Sequence, residues 1–172
     1  MPVTAAYPGT FDPITLGHYD IIQRASKIFS KLVVAVGLNV AKNPRFNMDE
    51  RVELIREVVK DLKNVEVKGF GGLIVDFARE NGVTVLVRGV RTVGDVEYEK
   101  QMAVMNRDLY PQLDTVMFTP APEYAHLSSS LVRELASLGA PVEKLVPKAV
   151  IPVLLERFGR DAAAQPKRRG GR

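Results

Sequence analysis

Short apolar runs alternate along the chain with longer stretches in which hydrophobic side chains recur every three or four positions. "VTAAY" (3–7) predicts a first strand. "HYDIIQRASKIF" predicts a helix with Ile21, Ile22, Ala25, Ile28 and Phe29 on one side. "KLVVAVGL" (31–38) is apolar at successive rather than alternate positions, the pattern of a strand covered on both faces. "NMDERVELIREVVKDL" is a second helix, with an inner stripe of Val52, Ile55, Val58, Val59 and Leu62. Asn47 caps it, with Glu50 three residues on to complete a capping box.

The alternation continues through "VEVKGF" (65–70, strand), "LIVDFARENG" (73–82, helix), "VTVLVRGV" (83–90, strand) and "GDVEYEKQMAVMNRDLY" (94–110, helix). Gly82 stands where a left-handed C-terminal cap belongs, and Pro111 ends the longer helix. "TVMFTP" (115–120) is the fifth strand, followed by a helix at "SSLVRELASLG" (129–139) that Gly139 stops. In "PKAVIPVLLERFG" (147–159) the internal Pro152 predicts a kink or a late helix start. Five strands separated by helices require right-handed crossovers. The expected fold is α/β, a Rossmann-like doubly wound sheet of five mainly parallel strands with helices on both faces. Ligands of such sheets sit beyond the carboxyl ends of the strands, so the loops after strands one, two, four and five should share one crevice.

The 172 residues are 46% hydrophobic and 26% charged, enough for one domain with a buried core, placed here at residues 1–160. The net charge of +4 is uneven. Residues 161–172 hold Lys167, Arg168, Arg169 and Arg172 against Asp161, a net of +3, which leaves +1 for the rest. The basic end, "DAAAQPKRRGGR", predicts a disordered, solvated tail, and the near-neutral body argues against nucleic acid as a partner. With no cysteine, disulfides and thiolate metal sites are excluded, and a reducing compartment is consistent. No signal peptide is expected, and no apolar stretch approaches the roughly 20 residues that span a bilayer. These features predict a cytoplasmic protein without membrane contact.

The crevice residues then carry the chemistry. "PGTFDPITLGH" follows strand one and puts His18 in the first turn of the predicted helix, where free N–H groups and the helix dipole favour an anion. Gly17 lets a phosphate approach the backbone, and Thr10 adds a hydroxyl. After strand two, Lys42 and Arg45 are either solvated cations or phosphate ligands. After strand four, Arg88 closes an apolar strand and Arg91 follows. A cation there either meets phosphate oxygens bidentately or pairs with a neighbour such as Glu99. After strand five, three serines open a helix that needs only one of them as a cap. Cations and donors thus converge with no evident nucleophile–base pair, which suits binding and transfer of phosphate groups. The glycine-rich signature of P-loop proteins is absent, and so is GxGxxG.

"YPGTFDPITLGH" resembles the nucleotidyltransferases that carry an (H/T)xGH motif, here Thr15-Leu16-Gly17-His18. "HLSSSLVRE" is similar to their ISSSxx(R/K) segment, with Leu127 in place of isoleucine. "VRGVRTVGDVEYEKQMAVMNRDLYP" narrows the resemblance to the bacterial phosphopantetheine adenylyltransferases, and the likeness runs from about Ala6 to about Pro147. The resemblance implies that ATP and 4′-phosphopantetheine give dephospho-coenzyme A and pyrophosphate, the penultimate step of coenzyme A biosynthesis. It implies that Thr10 contacts the phosphate of phosphopantetheine or the ATP α-phosphate, and that His18 is the catalytic residue at the ATP site. Lys42 and Arg88 would hold phosphopantetheine, with Ile74 near its arm. Phe11, Gly89, Val90, Arg91 and Glu99 would line the ATP site, closed by the segment Tyr124, Ala125, His126, Leu127, Ser128, Ser129 and Ser130. Tyr124 stands where many relatives have tryptophan, and no individual role transfers to His126. The resemblance also implies Mg²⁺ and a homohexamer.

The chemistry is consistent with that residue set. A phosphate is already an adequate nucleophile, so no general base is required. The barrier is charge repulsion and misorientation, which positioned donors relieve. Mg²⁺ keeps its waters and would be held mainly by ATP oxygens, so no protein metal site is expected. The rival readings are a sister nucleotidyltransferase acting on nicotinamide mononucleotide or glycerol phosphate, a catalytically silent nucleotide sensor, and a nucleic-acid binder using the tail.

Overall fold

A computed structural model describes residues 2–38 and 44–164. Lys42 and residues 165–172 lie outside the described residues. The strands are β1 (Thr4–Gly9), β2 (Lys31–Gly37), β3 (Val65–Phe70), β4 (Val85–Gly89) and β5 (Asp114–Phe118). The helices are α1 (Leu16–Ile28), α2 (Met48–Val59), α3 (Ile74–Glu80), α4 (Val93–Leu109), α5 (Ser129–Ser137) and α6 (Ile151–Ala164). The sheet order is β3-β2-β1-β4-β5, and all four neighbouring pairs are parallel.

Alternate residues of β1, β2 and β4 feed two separate cores. Ala5, Tyr7, Leu32, Val34, Val36, Val87 and Phe118 face one side, where Ile21 and Ile22 of α1, Val52 and Ile55 of α2, Val132 of α5 and Leu154 of α6 cover them. Ala6, Val33, Ala35 and Leu86 face the other, under Val75, Phe77 and Ala78 of α3. Helices therefore flank both faces, and the unalternating run in β2 is explained by its burial from both sides.

Several ends follow the expected local chemistry. Asn47 accepts from the Glu50 N–H at 2.9 Å, and the Glu50 carboxylate accepts from the Asn47 N–H at 2.7 Å. Asn47→Ala should lower stability by about 1 kcal/mol. In urea denaturation this reads as a lower midpoint with an unchanged slope. Gly82 and Gly139 adopt left-handed φ of 63° and 75°. Pro152 falls in the first turn of α6, after a short 3-10 turn at Lys148–Val150. The helix starts late, where the missing N–H costs nothing. The alanines after Asp161 carry α6 on to Ala164, four residues past the boundary expected at 160.

β1 runs two residues beyond the expected Tyr7, and this shapes the site. Its pairing with β2 continues to Gly9, but its pairing with β4 stops at Ala6–Leu86. Beyond that point no β4 ladder needs the N–H that Pro8 lacks. The sheet parts between β1 and β4 at its carboxyl end, the switch point of this strand order.

Candidate active site

The parting opens into a cleft of about 990 Å³, lined by the loops after all five strands and by one side of α4. α1 begins at Leu16 with Thr15 as its N-cap, so His18 is its third residue. The Thr15 Oγ1 accepts from the His18 N–H at 3.3 Å. In return the Thr15 N–H donates to His18 Nδ1 at 3.1 Å, and the Thr15 hydroxyl lies 3.1 Å from the same nitrogen. Nδ1 is thereby fixed as an acceptor, which leaves the imidazole proton on Nε2. Burial, and then the nearby Arg91 charge, push the His18 pKa down to about 4. At neutral pH the ring is a neutral donor held in one orientation, and it belongs to the cleft wall.

Phe11 packs against the ring. Its centroid lies 5.1 Å from that of His18, edge to face at 75°, and 5.4 Å from that of Tyr7. Phe11 reaches this position through a φ of 50°, an uncommon conformation for a residue with a side chain. A Cβ on Gly9 would sit 2.8 Å from the Phe11 ring, so glycine is required there. Tyr7 is buried beside them, and that burial raises its pKa, so the phenol stays protonated.

On the facing wall Arg88 forms the ion pair that the sequence left open. Its Nε and Nη2 donate to the two Glu99 oxygens at 2.8 and 2.7 Å, and its Nη1 donates to the Pro8 carbonyl at 2.8 Å across the parted strands. Burial opposes its charge, but the Glu99 pairing outweighs burial and raises its pKa. Arg91 donates from Nη1 to the Leu127 carbonyl at 2.9 Å, tying the β4 loop to the serine segment. Each serine has a separate partner. Ser128 caps α5 through the Leu131 N–H at 3.1 Å, Ser129 donates to the Pro13 carbonyl at 2.8 Å, and Ser130 accepts from Arg133 at 3.2 Å.

Three supporting charges escaped the sequence reading. Asp12, 4% exposed, accepts from the backbone N–H groups of Arg45 and Phe46 at 3.0 and 2.9 Å and from Arg133 at 3.2 Å. Arg133 stood inside the quoted serine motif, and Asp12 inside the quoted first loop. Arg51 is 1% exposed and holds carbonyls of three loop ends: Thr10 at 2.7 Å, Gly37 at 2.9 Å, and Phe46 and Asn47 at 3.0 and 3.2 Å. Its signal was position, four residues before Ile55 on the inward face of α2.

The expected residues separate into groups. Thr10, Phe11, His18, Arg88, Arg91 and Glu99 share the cleft. Gly89 lines it too, and a Cβ there would strike Ile21 at 2.8 Å. Tyr124, Leu127 and the three serines close one side, and Ile74 at the start of α3 lies along the other. Val90 is 4% exposed and is not among the residues of the cleft wall. Ala125 and His126 are exposed outside the cleft wall. Arg45 is held through its backbone to Asp12 and is not among the residues of the cleft wall.

Residues 6–135 match the family model described as cytidylyltransferase-like. A phosphopantetheine adenylyltransferase of Thioalkalivibrio sulfidiphilus is 53% identical over 159 residues, covering 92% of this chain and 100% of that relative. One of Heliobacterium modesticaldum is 51% identical over 155 residues, covering 90% of this chain and 92% of the relative. Among solved structures, a putative nicotinate-nucleotide adenylyltransferase from Vibrio parahaemolyticus superposes with a TM-score of 0.70. It is 16% identical, with 94% of this chain and 97% of that chain covered, a likeness of fold. The sequence likeness spans both walls of the cleft, and on that ground the chain belongs to the cytidylyltransferase-like family and, within it, to the phosphopantetheine adenylyltransferases.

Proposed function

We infer that the chain transfers the adenylyl group of ATP to 4′-phosphopantetheine, giving dephospho-coenzyme A and pyrophosphate. The observation that carries this reading is the cleft itself. A neutral, oriented His18 lines one cleft with Arg88, Arg91 and the serine-headed helix at the parting of β1 and β4, and curated relatives at about half identity bear that enzyme's name. In the reaction a phosphopantetheine phosphate oxygen attacks the α-phosphorus of ATP. The bond from that phosphorus to the bridging oxygen breaks, and its electron pair leaves with pyrophosphate. No covalent enzyme intermediate and no proton abstraction are needed.

His18 donates from Nε2 to an α-phosphate oxygen as charge builds there. Arg88, with Lys42, holds the phosphate of phosphopantetheine, Thr10 contacts the reacting phosphates, and Ile74 flanks the pantetheine arm. Phe11, Gly89, Val90, Arg91, Glu99 and the 124–130 segment accommodate ATP. Asp12, Asp95 and Glu99 of the cleft wall are each held by arginine or backbone donors. None offers a free ligand set, so Mg²⁺ enters with ATP as the MgATP substrate. The setting is cytoplasmic, without nucleic acid or membrane partners. Among the described residues, no helix is long and apolar enough to cross a membrane.

We propose a homohexamer on the resemblance. α4 supports assembly: it buries Glu99 and Asn106 and lines the cleft with Met105 and Leu109, while Val93, Val96 and Val104 form an exposed apolar stripe outside the cleft. Such a stripe fits cover by another copy.

A coupled assay for dephospho-coenzyme A, with nicotinamide mononucleotide and glycerol phosphate as alternative acceptors, tests the function. Phosphopantetheine should be the preferred acceptor by orders of magnitude. Equal or greater pyrophosphate release with either alternative would overturn the reading.

A further inference from the structure

Gly17, Asp20 and Arg24 follow one another along one side of α1, at i, i+3 and i+7. All three meet the connection between β5 and α5. A Cβ on Gly17 would lie 3.4 Å from the Tyr124 carbonyl oxygen and 3.5 Å from the Tyr124 Cβ, so residue 124 rests on the helix next to His18. Asp20 Oδ2 accepts from the Ala121 N–H at 3.1 Å and from Arg24 Nη1 at 3.1 Å. The same Arg24 nitrogen donates to the Thr119 carbonyl at 2.7 Å, and the guanidinium carbon stands 5.4 Å from the centre of the Phe118 ring. Ala121 opens a short 3-10 turn at Pro122–Tyr124, and its carbonyl accepts from the Tyr124 N–H at 2.8 Å. The pair thus holds the connection at Phe118, Thr119 and Ala121, where it enters the cleft wall at Pro120 and Tyr124. Arg91 holds the same connection further on, at the Leu127 carbonyl.

We propose that Asp20 and Arg24 are positioning residues for the nucleotide, fixing the 119–130 segment on α1 so that it keeps one spacing from His18 before substrate arrives. The inference rests on the place given to ATP above. Neither side chain belongs to the cleft wall, so neither acts as a ligand. An i,i+4 ion pair whose arginine side chain is 42% exposed adds little to the helix itself. Its bonds to Thr119 and Ala121 span 95 and 101 residues of sequence, so they set tertiary position rather than helix content. Asp20 is the better covered partner, at 16%, and its charge strengthens the bond from the Ala121 N–H. A segment left loose must be ordered when ATP binds, whereas a docked one is already in place. Loss of the clip therefore weakens ATP and spares phosphopantetheine, whose proposed contacts Arg88 and Ile74 stand on β4 and α3. A purely structural pair would move both substrates alike.

The test is Asp20→Ala, with Asp20→Asn as the conservative variant, since an amide oxygen can still accept from Ala121. Initial rates of pyrophosphate release, with each substrate varied in turn, are read together with ATP Kd by calorimetry. In D20A the KM and Kd for ATP should rise about tenfold, while phosphopantetheine KM stays within about twofold. D20N should bring ATP back to within about threefold of the wild type. Adding Arg24→Met to D20A should change ATP Kd by less than about twofold, because both residues act on one segment. Should D20A fail to fold, Arg24→Met alone, at the more exposed partner, reads the same split. The chain has no tryptophan, so Tyr124→Trp places a single reporter on the segment. Its fluorescence anisotropy without ligand should fall when Asp20→Ala is added. Equal losses for the two substrates, an unchanged ATP Kd or an unchanged anisotropy would each overturn the proposal. A wild-type chain that binds no ATP overturns the functional reading and this proposal with it. A wild type that uses ATP with a different acceptor overturns the functional reading alone.

Discussion

His18→Ala is expected to fold and to lose about a hundredfold or more in kcat, on the order of 3 kcal/mol of transition-state stabilisation. Substrate KM values should move little, since the lost donor acts where charge develops. The substitution also removes half of a capping box, because His18 Nδ1 accepts from the Thr15 N–H. A stability loss of about 1 kcal/mol should accompany it. His18→Gln separates the two effects: glutamine at this position can still accept from the cap but lacks the imidazole donor. It should restore the melting temperature and leave kcat low. A folded alanine variant with near-normal kcat would remove His18 from the mechanism. The same ring sets a pH dependence. Its folded pKa of about 4 lies below the ordinary value near 6.5. The unfolded chain therefore binds the extra proton first as pH falls. His18's stabilising contribution is complete above about pH 6.5 and is lost as pH falls towards about 4. Urea midpoints measured across that window should decline less steeply in His18→Gln than in the wild type.

Arg51→Met is expected to cost on the order of 4 kcal/mol, the largest stability loss proposed here. The guanidinium is 1% exposed, and its Nη1 and Nε reach carbonyls of Thr10, Gly37, Phe46 and Asn47. Methionine fills much of the same volume but leaves buried acceptors with no donor. Lysine keeps the charge but offers one nitrogen where three loop ends need a planar fork, so Arg51→Lys should recover only part of the loss. At roughly 2–4 °C per kcal/mol for a chain of this size, the melting temperature should fall by about 10 °C. Calorimetry checks this, and a shift under about 2 °C would show that the loops hold their shape without the clamp.

These two residues mark the limits of what could be read in advance. His18 was legible because its signal is local: a glycine, a histidine and the onset of a helical stripe lie within a few residues. The β2 run and the Asn47–Glu50 cap were legible for the same reason. Pro152 was legible as a constraint, and its place in the first turn of α6 chose the late start. Arg51 was hidden because a charge on a helix reads as exposed by default, and because two of its partners are 41 and 14 residues away. Arg88 was legible as a cation at the mouth of β4, but its pairing depended on where the start of α4 comes to rest. Periodicity predicted α4 as a helix, yet could not say that Glu99 and Asn106 would turn inward while Val93, Val96 and Val104 turned outward.

The strand order also has a consequence for synthesis. β1 and β2 can join as soon as the first forty or so residues leave the ribosome, but the opposite edge of β1 waits for β4, which begins only at Val85. Until then the nascent chain carries an unpaired rim at Ala5 and Ala6, open to the wrong neighbour. The serine-headed helix emerges later still. Nucleotide can be gripped only after most of the polypeptide exists, so substrate cannot assist the early steps of its own enzyme's folding.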